Sequence, residues 1–177
     1  ITIFVGYFLI VHGLILRLLL NESIYLFFNK IKNTLFFAFI SSSSAATIPF
    51  SIKTAENELK INKDITNFVI PIGATVNMDG SAIYLGIAAV FVSQLIGLDL
   101  SLFQYALILV TATVGSIGAA GVPSVGLVMM TIVFTAIGIP IEAIAILAGV
   151  DRILDMFRTS LNVAGDLLIS KIVSKYC

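Results

Sequence analysis

The sequence predicts an all-α membrane protein with two opposed re-entrant helical hairpins and an interrupted helix. Three observations predict it: a membrane-grade composition, apolar segments broken by small-residue turns, and one polar stripe on an apolar final helix. Hydrophobic residues make up 59% of the 177 and charged ones 11%, with mean hydropathy +1.10, against about 25% charged in soluble domains. Zero net charge argues against nucleic acid as a partner. The single cysteine, Cys177, excludes an internal disulfide and a thiolate metal cluster. The chain opens at Ile1 inside an apolar run with no basic region or cleavage site before it, which does not read as a signal peptide. The expectation is a carboxy-terminal part of something longer.

Residues 1–20 form the first apolar span. From Ile65 to Val150 there is no Lys or Arg, whereas Lys30, Lys32, Lys53, Lys60, Lys63, Lys171 and Lys175 sit in the loops and ends around them. By the positive-inside rule those loops and the carboxy terminus are cytoplasmic. The span 1–20 then descends to the cytoplasm, and the final segment returns there.

Residues 21–63 divide at Ser41-Ser42-Ser43-Ser44-Ala45-Ala46-Thr47-Ile48-Pro49, and residues 99–138 divide around 115–124 at Gly115-Ser116-Ile117-Gly118-Ala119-Ala120-Gly121-Val122-Pro123. Each flank is too short to cross a bilayer comfortably, which needs about 20 apolar residues. Both tips read Ser-x-x-Ala-Ala-x-β-branched-Pro, and the charge argument opens the hairpins to opposite sides. Interrupted helices in matching, inverted positions point to a transporter binding site.

Residues 64–98 contain Pro71 and Gly73 and break at 77–81, Asn77-Met78-Asp79-Gly80-Ser81. A helix broken at depth frees carbonyls that hydrocarbon cannot satisfy. With Asp79 and Asn77 they offer the several oxygen ligands a hard cation takes. No basic residue stands within 15 positions upstream or 70 downstream of Asp79, which favours ion binding there.

The last segment, 139–177, carries Asp151, Asp155, Arg158, Asn162 and Asp166 in steps of four, three, four and four. On a helix they lie within roughly 80° of one another along about 22 Å. Such a stripe is expensive inside a membrane unless it faces protein, water, ions or a charged ligand.

Together these motifs resemble the glutamate/aspartate transporter family, the dicarboxylate/amino acid:cation symporters. The matching stretches are Ser41 to Pro49, Gly73 to Ser81, Ser116 to Pro123, and Asp151 to Thr159 followed by Asn162 and Gly165-Asp166. The resemblance implies the transport-domain part of the glutamate transporter fold: sixth helix, hairpin 1, helix 7, hairpin 2 and helix 8, without scaffold or third helix. It implies an elevator-type secondary carrier, homotrimeric at full length, multi-pass in a cell membrane (a bacterial inner membrane is expected) with a cytoplasmic carboxy terminus. Without its scaffold the chain is not expected to transport. No enzymatic activity and no cofactor are implied, only Na⁺ as coupling ion.

The resemblance also implies roles. Arg158 takes the side-chain carboxylate of glutamate or aspartate as a fork and Asp155 takes the ammonium group. Thr159, Asn162 and Ser81, with backbone near Ser43, Ser44 and Val122, complete the cradle. Asp166 with carbonyls of Gly73, Asn77 and Asn162 forms one Na⁺ site, and Asp79 with Asn77 a deeper one. Carbonyls of Thr75, Ser116, Ile117 and Ala119 form a third, closing with hairpin 2. Three positions depart from the family: Ala45 for a common serine, Ser81 for threonine, and Leu85 where animal carriers hold a proton-accepting glutamate. Arg152 is less typical and is expected to pair with Asp151 or Asp155.

Symport of C4-dicarboxylates, cystine or neutral amino acids within the same family is the nearer alternative, disfavoured because Asp155 and Arg158 are both present. An intramembrane aspartyl protease would need a paired Gly-x-Gly-Asp motif, which is missing. A serine protease would need a base, and the only histidine, His12, reads as a packed or lipid-interface residue. A pure ion channel would not need the Asp155/Arg158 pair.

Overall fold

The computed structural model describes residues 1–117, 119 and 121–177; Gly118 and Ala120, within the second tip motif, lie outside the described residues. All regular structure among these is helical. The elements are α1 (Thr2–Leu20), α2 (Ile24–Ser41), α3 (Ser44–Asn57), α4 (Lys63–Val76), α5 (Asp79–Leu95), α6 (Leu102–Ser116), α7 (Val125–Ile137) and α8 (Ala145–Tyr176). A short 3₁₀ turn, Ile141–Ile144, leads into α8. Two segments, Thr2–Leu20 and Lys63–Leu95, are long and apolar enough to cross a membrane.

Serine chemistry makes the turn between α2 and α3. Ser42 takes the left-handed conformation (φ 50°) that ends α2, and its N–H bonds the Ala38 carbonyl. Ser43 is extended, and its hydroxyl accepts from Ala46 N–H at 3.1 Å as the N-cap of α3. The turn is therefore shorter than the sequence suggests. Pro49, expected within the tip, lies inside α3. Serine capping closes the loop two residues after α2 ends, so the helix restarts before the proline.

The α4–α5 break falls at Asn77 and Met78, neither in a helical conformation. Ser101 and Gln104 form a reciprocal capping box at the start of α6, and Gln104 Nε2 donates to the Ile137 carbonyl at 3.1 Å, tying the open ends of α6 and α7 together.

α8 is the central post, packed against α2, α3, α4 and α5. Two apolar cores flank it. One gathers α5, α6, α7 and the early part of α8, with Tyr84, Val92, Ile108, Phe134 and Leu147. The other gathers α1, α2, α3, α4 and the later part of α8, with Leu16, Phe27, Ile70 and Leu167. The α4–α5 break lies where one core gives way to the other. At the carboxy-terminal end Lys171 pairs with Glu22, and Lys175 Nζ donates to the Leu19 carbonyl at 2.5 Å, fastening α8 to the end of α1.

Phe27 is fully buried in the second core. Replacing it with Ala should leave a cavity and cost about 3 kcal/mol or more in thermal or denaturant unfolding in detergent, with Leu far milder. A loss below about 1 kcal/mol would mean that the α2–α8 contact is not close-packed.

Candidate functional site

Breaking helices inside a membrane exposes the first N–H and last C=O groups of every piece. In this molecule the polar stripe of α8 meets those ends. Asp155 Oδ2 accepts from the N–H of Ser124 at 2.7 Å. Ser124 is the N-cap of α7 and offers no side-chain cap of its own, so Asp155 caps α7 from another helix, where a carboxylate suits the positive end of the dipole. Asn162 Oδ1 accepts from Gly80 N–H at 2.8 Å in the first turn of α5. Its Nδ2 donates to Ser81 Oγ at 3.2 Å and contacts Met78 Sδ.

The two tips meet at Gly121. Its carbonyl accepts from Ser43 Oγ at 2.6 Å and from Ala45 N–H at 3.2 Å. A Cβ there would lie 2.9 Å from Ala45 N and 3.1 Å from the Ala74 carbonyl, so only glycine permits this approach. The end of α4 thus joins both tips.

At the centre, Arg158 Nη2 donates to Asp155 Oδ1 at 2.5 Å, with the two side chains 1% and 2% exposed. The guanidinium lies 4.7 Å from the Tyr84 ring centroid, and Tyr84 Oη donates to Asp151 Oδ1 at 2.7 Å. Among the described residues, two buried atoms here lack partners: Arg158 Nη1 and Asp151 Oδ2. Burying ionised groups is costly unless they are paired and hydrogen-bonded. An unused guanidinium N–H beside a closed ion pair is therefore a place for a further anion. Gly126 faces it, and a methyl group there would overlap Nη1.

Deeper along α8, Asp166 Oδ1 accepts from Asn77 Nδ2 at 3.0 Å. Gly73 passes so close that a Cβ would sit 2.6 Å from the same oxygen. Asp166 is 2% exposed and has no cationic side chain as partner among the described residues. A buried carboxylate beside the carbonyl end of α4 is doubly negative, and the chemistry calls for a cation. No group of three His, Cys, Asp or Glu occurs among the described residues, so such an ion would be held by carboxylate, amide and carbonyl oxygens, the donor set of a hard cation.

Asp79 has a partner the sequence did not reveal. Its Oδ2 lies 3.5 Å from Nε2 of buried His12, 67 residues away on α1. His12 also packs edge-on against Tyr7 and Phe8, at 5.4 and 5.6 Å. Asp79 itself stays 30% exposed, and Gly165 brings α8 beside both Asn77 and Asp79.

Other expected residues are placed differently. Ser44, Thr159 and Ser116 are buried. Val122 is 48% exposed. Thr75 donates to the Ile72 carbonyl and Ser116 to the Thr113 carbonyl. Ile117 is exposed, and Ala119 N–H bonds the Ser116 carbonyl at 3.3 Å. Arg152 does not pair with Asp151 or Asp155. Asp151 turns inward to Tyr84, whereas Arg152 is exposed and reaches the Ile40 carbonyl at 3.5 Å, at the carbonyl end of α2. Adjacent residues on a helix point about 100° apart, which explains the separation.

Sequence reasoning missed Tyr84, Ser124, Gly126 and the His12 contact. Tyr84 carries a signal, standing one turn after Ser81 on the same face; the others depend on approaches between distant segments.

Broken helices converging on a buried, charged helix, together with two segments apolar enough to span, are the architecture of an integral membrane protein. The comparisons agree. The sodium:dicarboxylate symporter family model matches residues 1–176, and the chain belongs to that family. The chain is 47% identical to excitatory amino acid transporter 3 of Mus musculus over 94% of its length and 32% of the relative's. The Homo sapiens protein of the same name is 44% identical over the same shares. A putative sodium-dependent excitatory amino acid transporter of Caenorhabditis elegans, glt-4, is 44% identical over 85% of the chain and 30% of its own length. The chain spans about a third of the length of these relatives.

Tyr84→Phe strips Asp151 Oδ1 of its hydrogen bond and should cost about 1–3 kcal/mol of unfolding stability. Combined with Asp151→Asn it should show a coupling of at least about 0.5 kcal/mol in a double-mutant cycle. Additive losses would contradict the contact.

Proposed function

We propose that this chain is the carboxy-terminal part of a Na⁺-coupled carrier of acidic amino acids, glutamate or aspartate. The observation that carries the reading is the closed Asp155–Arg158 pair beneath the two touching tips, with the guanidinium Nη1 unused among the described residues. A zwitterionic acid exchanges that one internal pair for two. Its side-chain carboxylate forks onto Arg158 and its ammonium group onto Asp155. Thr159, Asn162 and Ser81, with the backbone of Ser43, Ser44 and Val122, supply the remaining polar contacts. Reaching Asp155 requires the Ser124 N–H contact to loosen, so substrate admission and movement of the second tip are one event.

Na⁺ enters as cargo. One ion lies at Asp166 with oxygens of Gly73, Asn77 and Asn162, a second at Asp79 with Asn77, and a third among carbonyls of Thr75, Ser116, Ile117 and Ala119. Each neutralises a carboxylate or a helix carbonyl end, so ion and substrate favour the same closed arrangement. Hairpins α2–α3 and α6–α7 enter the bilayer from opposite sides without crossing it, within segments 21–63 and 99–138. The first helix (1–20), the interrupted helix (64–98) and the last (139–177) complete the unit. It moves as an elevator against a scaffold supplied by the rest of a homotrimeric protein, with the carboxy terminus cytoplasmic. The relatives compared are animal proteins, so they lend no support to the bacterial inner membrane expected earlier. Leu85 holds no proton, which argues against proton coupling by that route. C4-dicarboxylates and neutral amino acids fit less well, because each leaves Asp155 or Arg158 buried without its counter-charge.

Radiolabelled aspartate uptake by the full-length protein in liposomes, under separately imposed Na⁺ and pH gradients, tests this reading. Uptake should follow the Na⁺ gradient, and Arg158→Ala should reduce it at least about a hundredfold, in line with the roughly 3 kcal/mol or more lost when a buried charge pair is broken. Undiminished uptake in that variant would refute the assignment. Gly126→Ala should lower the affinity for aspartate at least about tenfold by crowding Arg158, a cost of the order of the 1–3 kcal/mol that overpacking brings. An unchanged affinity would place the anion elsewhere.

A further inference from the structure

Away from the central site, a groove of about 610 Å³ runs along hairpin 1 between α2 and α3. Its floor is closed by a hydrogen bond between the Thr34 and Thr54 hydroxyls at 2.7 Å and by stacking of Phe37 on Phe50 at 3.9 Å. The lining is graded along its length. Lys30, Asn33, Lys53 and Asn57 occupy the end remote from the tip, and Phe36, Ile40 and Phe50 the end towards it. Neither Lys30 nor Lys53 has an acidic or hydrogen-bonded partner among the described residues. Among the described residues, Glu58 is the only acid along the lining. Two free ammonium groups thus face one carboxylate.

Depth decides what this groove fits. Lys30 precedes the end of α2 at Ser41 by eleven residues, and Lys53 follows the start of α3 at Ser44 by nine. At 1.5 Å per residue they stand about 16 and 14 Å from the tip. With the tip near the midplane, as the topology proposed above has it, that distance matches half of the roughly 30 Å hydrocarbon layer. Both lysines then lie at the cytoplasmic headgroup level, and the aromatic end of the groove lies at acyl-chain depth. We infer that this groove is a binding site for one anionic phospholipid of the cytoplasmic leaflet. Its phosphate rests between Lys30 and Lys53, its polar headgroup on Asn33 and Asn57, and its chain along Phe36 and Phe50. Basic pockets between membrane helices on the cytoplasmic side select such lipids, whereas a zwitterionic lipid gains nothing net from the lysines. Arg or Lys serves equally, because a phosphate needs positive charge here rather than a particular fork.

The chain contains no tryptophan, so a reporter can be placed. Phe36, 65% exposed at the chain-depth end, is replaced by Trp in the full-length protein with its other tryptophans removed. The protein is then reconstituted in phosphatidylcholine vesicles doped with brominated phosphatidylglycerol or brominated phosphatidylcholine. Quenching should report an association about fivefold or more in favour of phosphatidylglycerol, as near-surface lysines confer. The preference should fall to about one in Lys30→Gln/Lys53→Gln and survive in Lys30→Arg/Lys53→Arg. Equal quenching by both lipids in the parent, a preference that survives the Gln pair, or no quenching by either lipid would each overturn the site. The last result would mean that protein fills the groove. None of these readouts depends on uptake, so the lipid site and the transport reading fail separately.

Discussion

A helix interrupted inside a membrane must have its loose ends satisfied by protein, because hydrocarbon offers no hydrogen bonds. The rest of this structure follows from that constraint. Four helix ends stop at the level of the α8 stripe, and a side chain of α8 reaches each. Arg152 meets the carbonyl end of α2, Asp155 the N–H end of α7, Asn162 the N–H end of α5, and Asp166 reaches the end of α4 through Asn77. Three of these four pairings follow the helix dipole or plain hydrogen bonding. The fourth sets a buried carboxylate beside a negative helix end, a charge that the proposed coupling cation would offset.

The same arrangement ties helix capping to the recognition proposed above. Asp155 does two things at once: it caps α7 and neutralises Arg158. A ligand that competes for Asp155 must alter the cap, and the cap belongs to the hairpin that carries Gly121 to the first tip. In the proposed carrier, site occupancy and tip position would thereby be linked through one carboxylate. The two apolar cores on either side anchor the helices, whereas the described tip residues are joined by polar contacts, Ser43 Oγ and Ala45 N–H both donating to the Gly121 carbonyl.

Much of this was legible in the sequence. The four-three-four-four spacing of Asp151 to Asp166 requires one face, and the cost of a charged face in hydrocarbon requires that it turn inward. The small-residue runs around Ser42 and Gly121 marked where backbones approach. What stayed hidden depends on geometry between distant segments. The partner of Asp79 was sought among near neighbours, yet α1 delivers His12 from 67 residues upstream. Arg152 was assigned by adjacency to the acids beside it, but one residue on a helix is a large rotation, and it reaches α2 instead. Pro49 looked like a turn residue because prolines usually are, whereas a two-residue serine turn had already closed the loop.

As proposed, the buried carboxylates and guanidinium form one thermodynamic unit with an acidic amino acid and Na⁺. Titration calorimetry of aspartate into the purified full-length protein, in NaCl and again in choline chloride, addresses it most directly. Binding should be present in NaCl and weaken at least about tenfold in choline, a coupling at the low end of the 1–3 kcal/mol typical between linked sites. Equal affinity in the two salts would contradict the account.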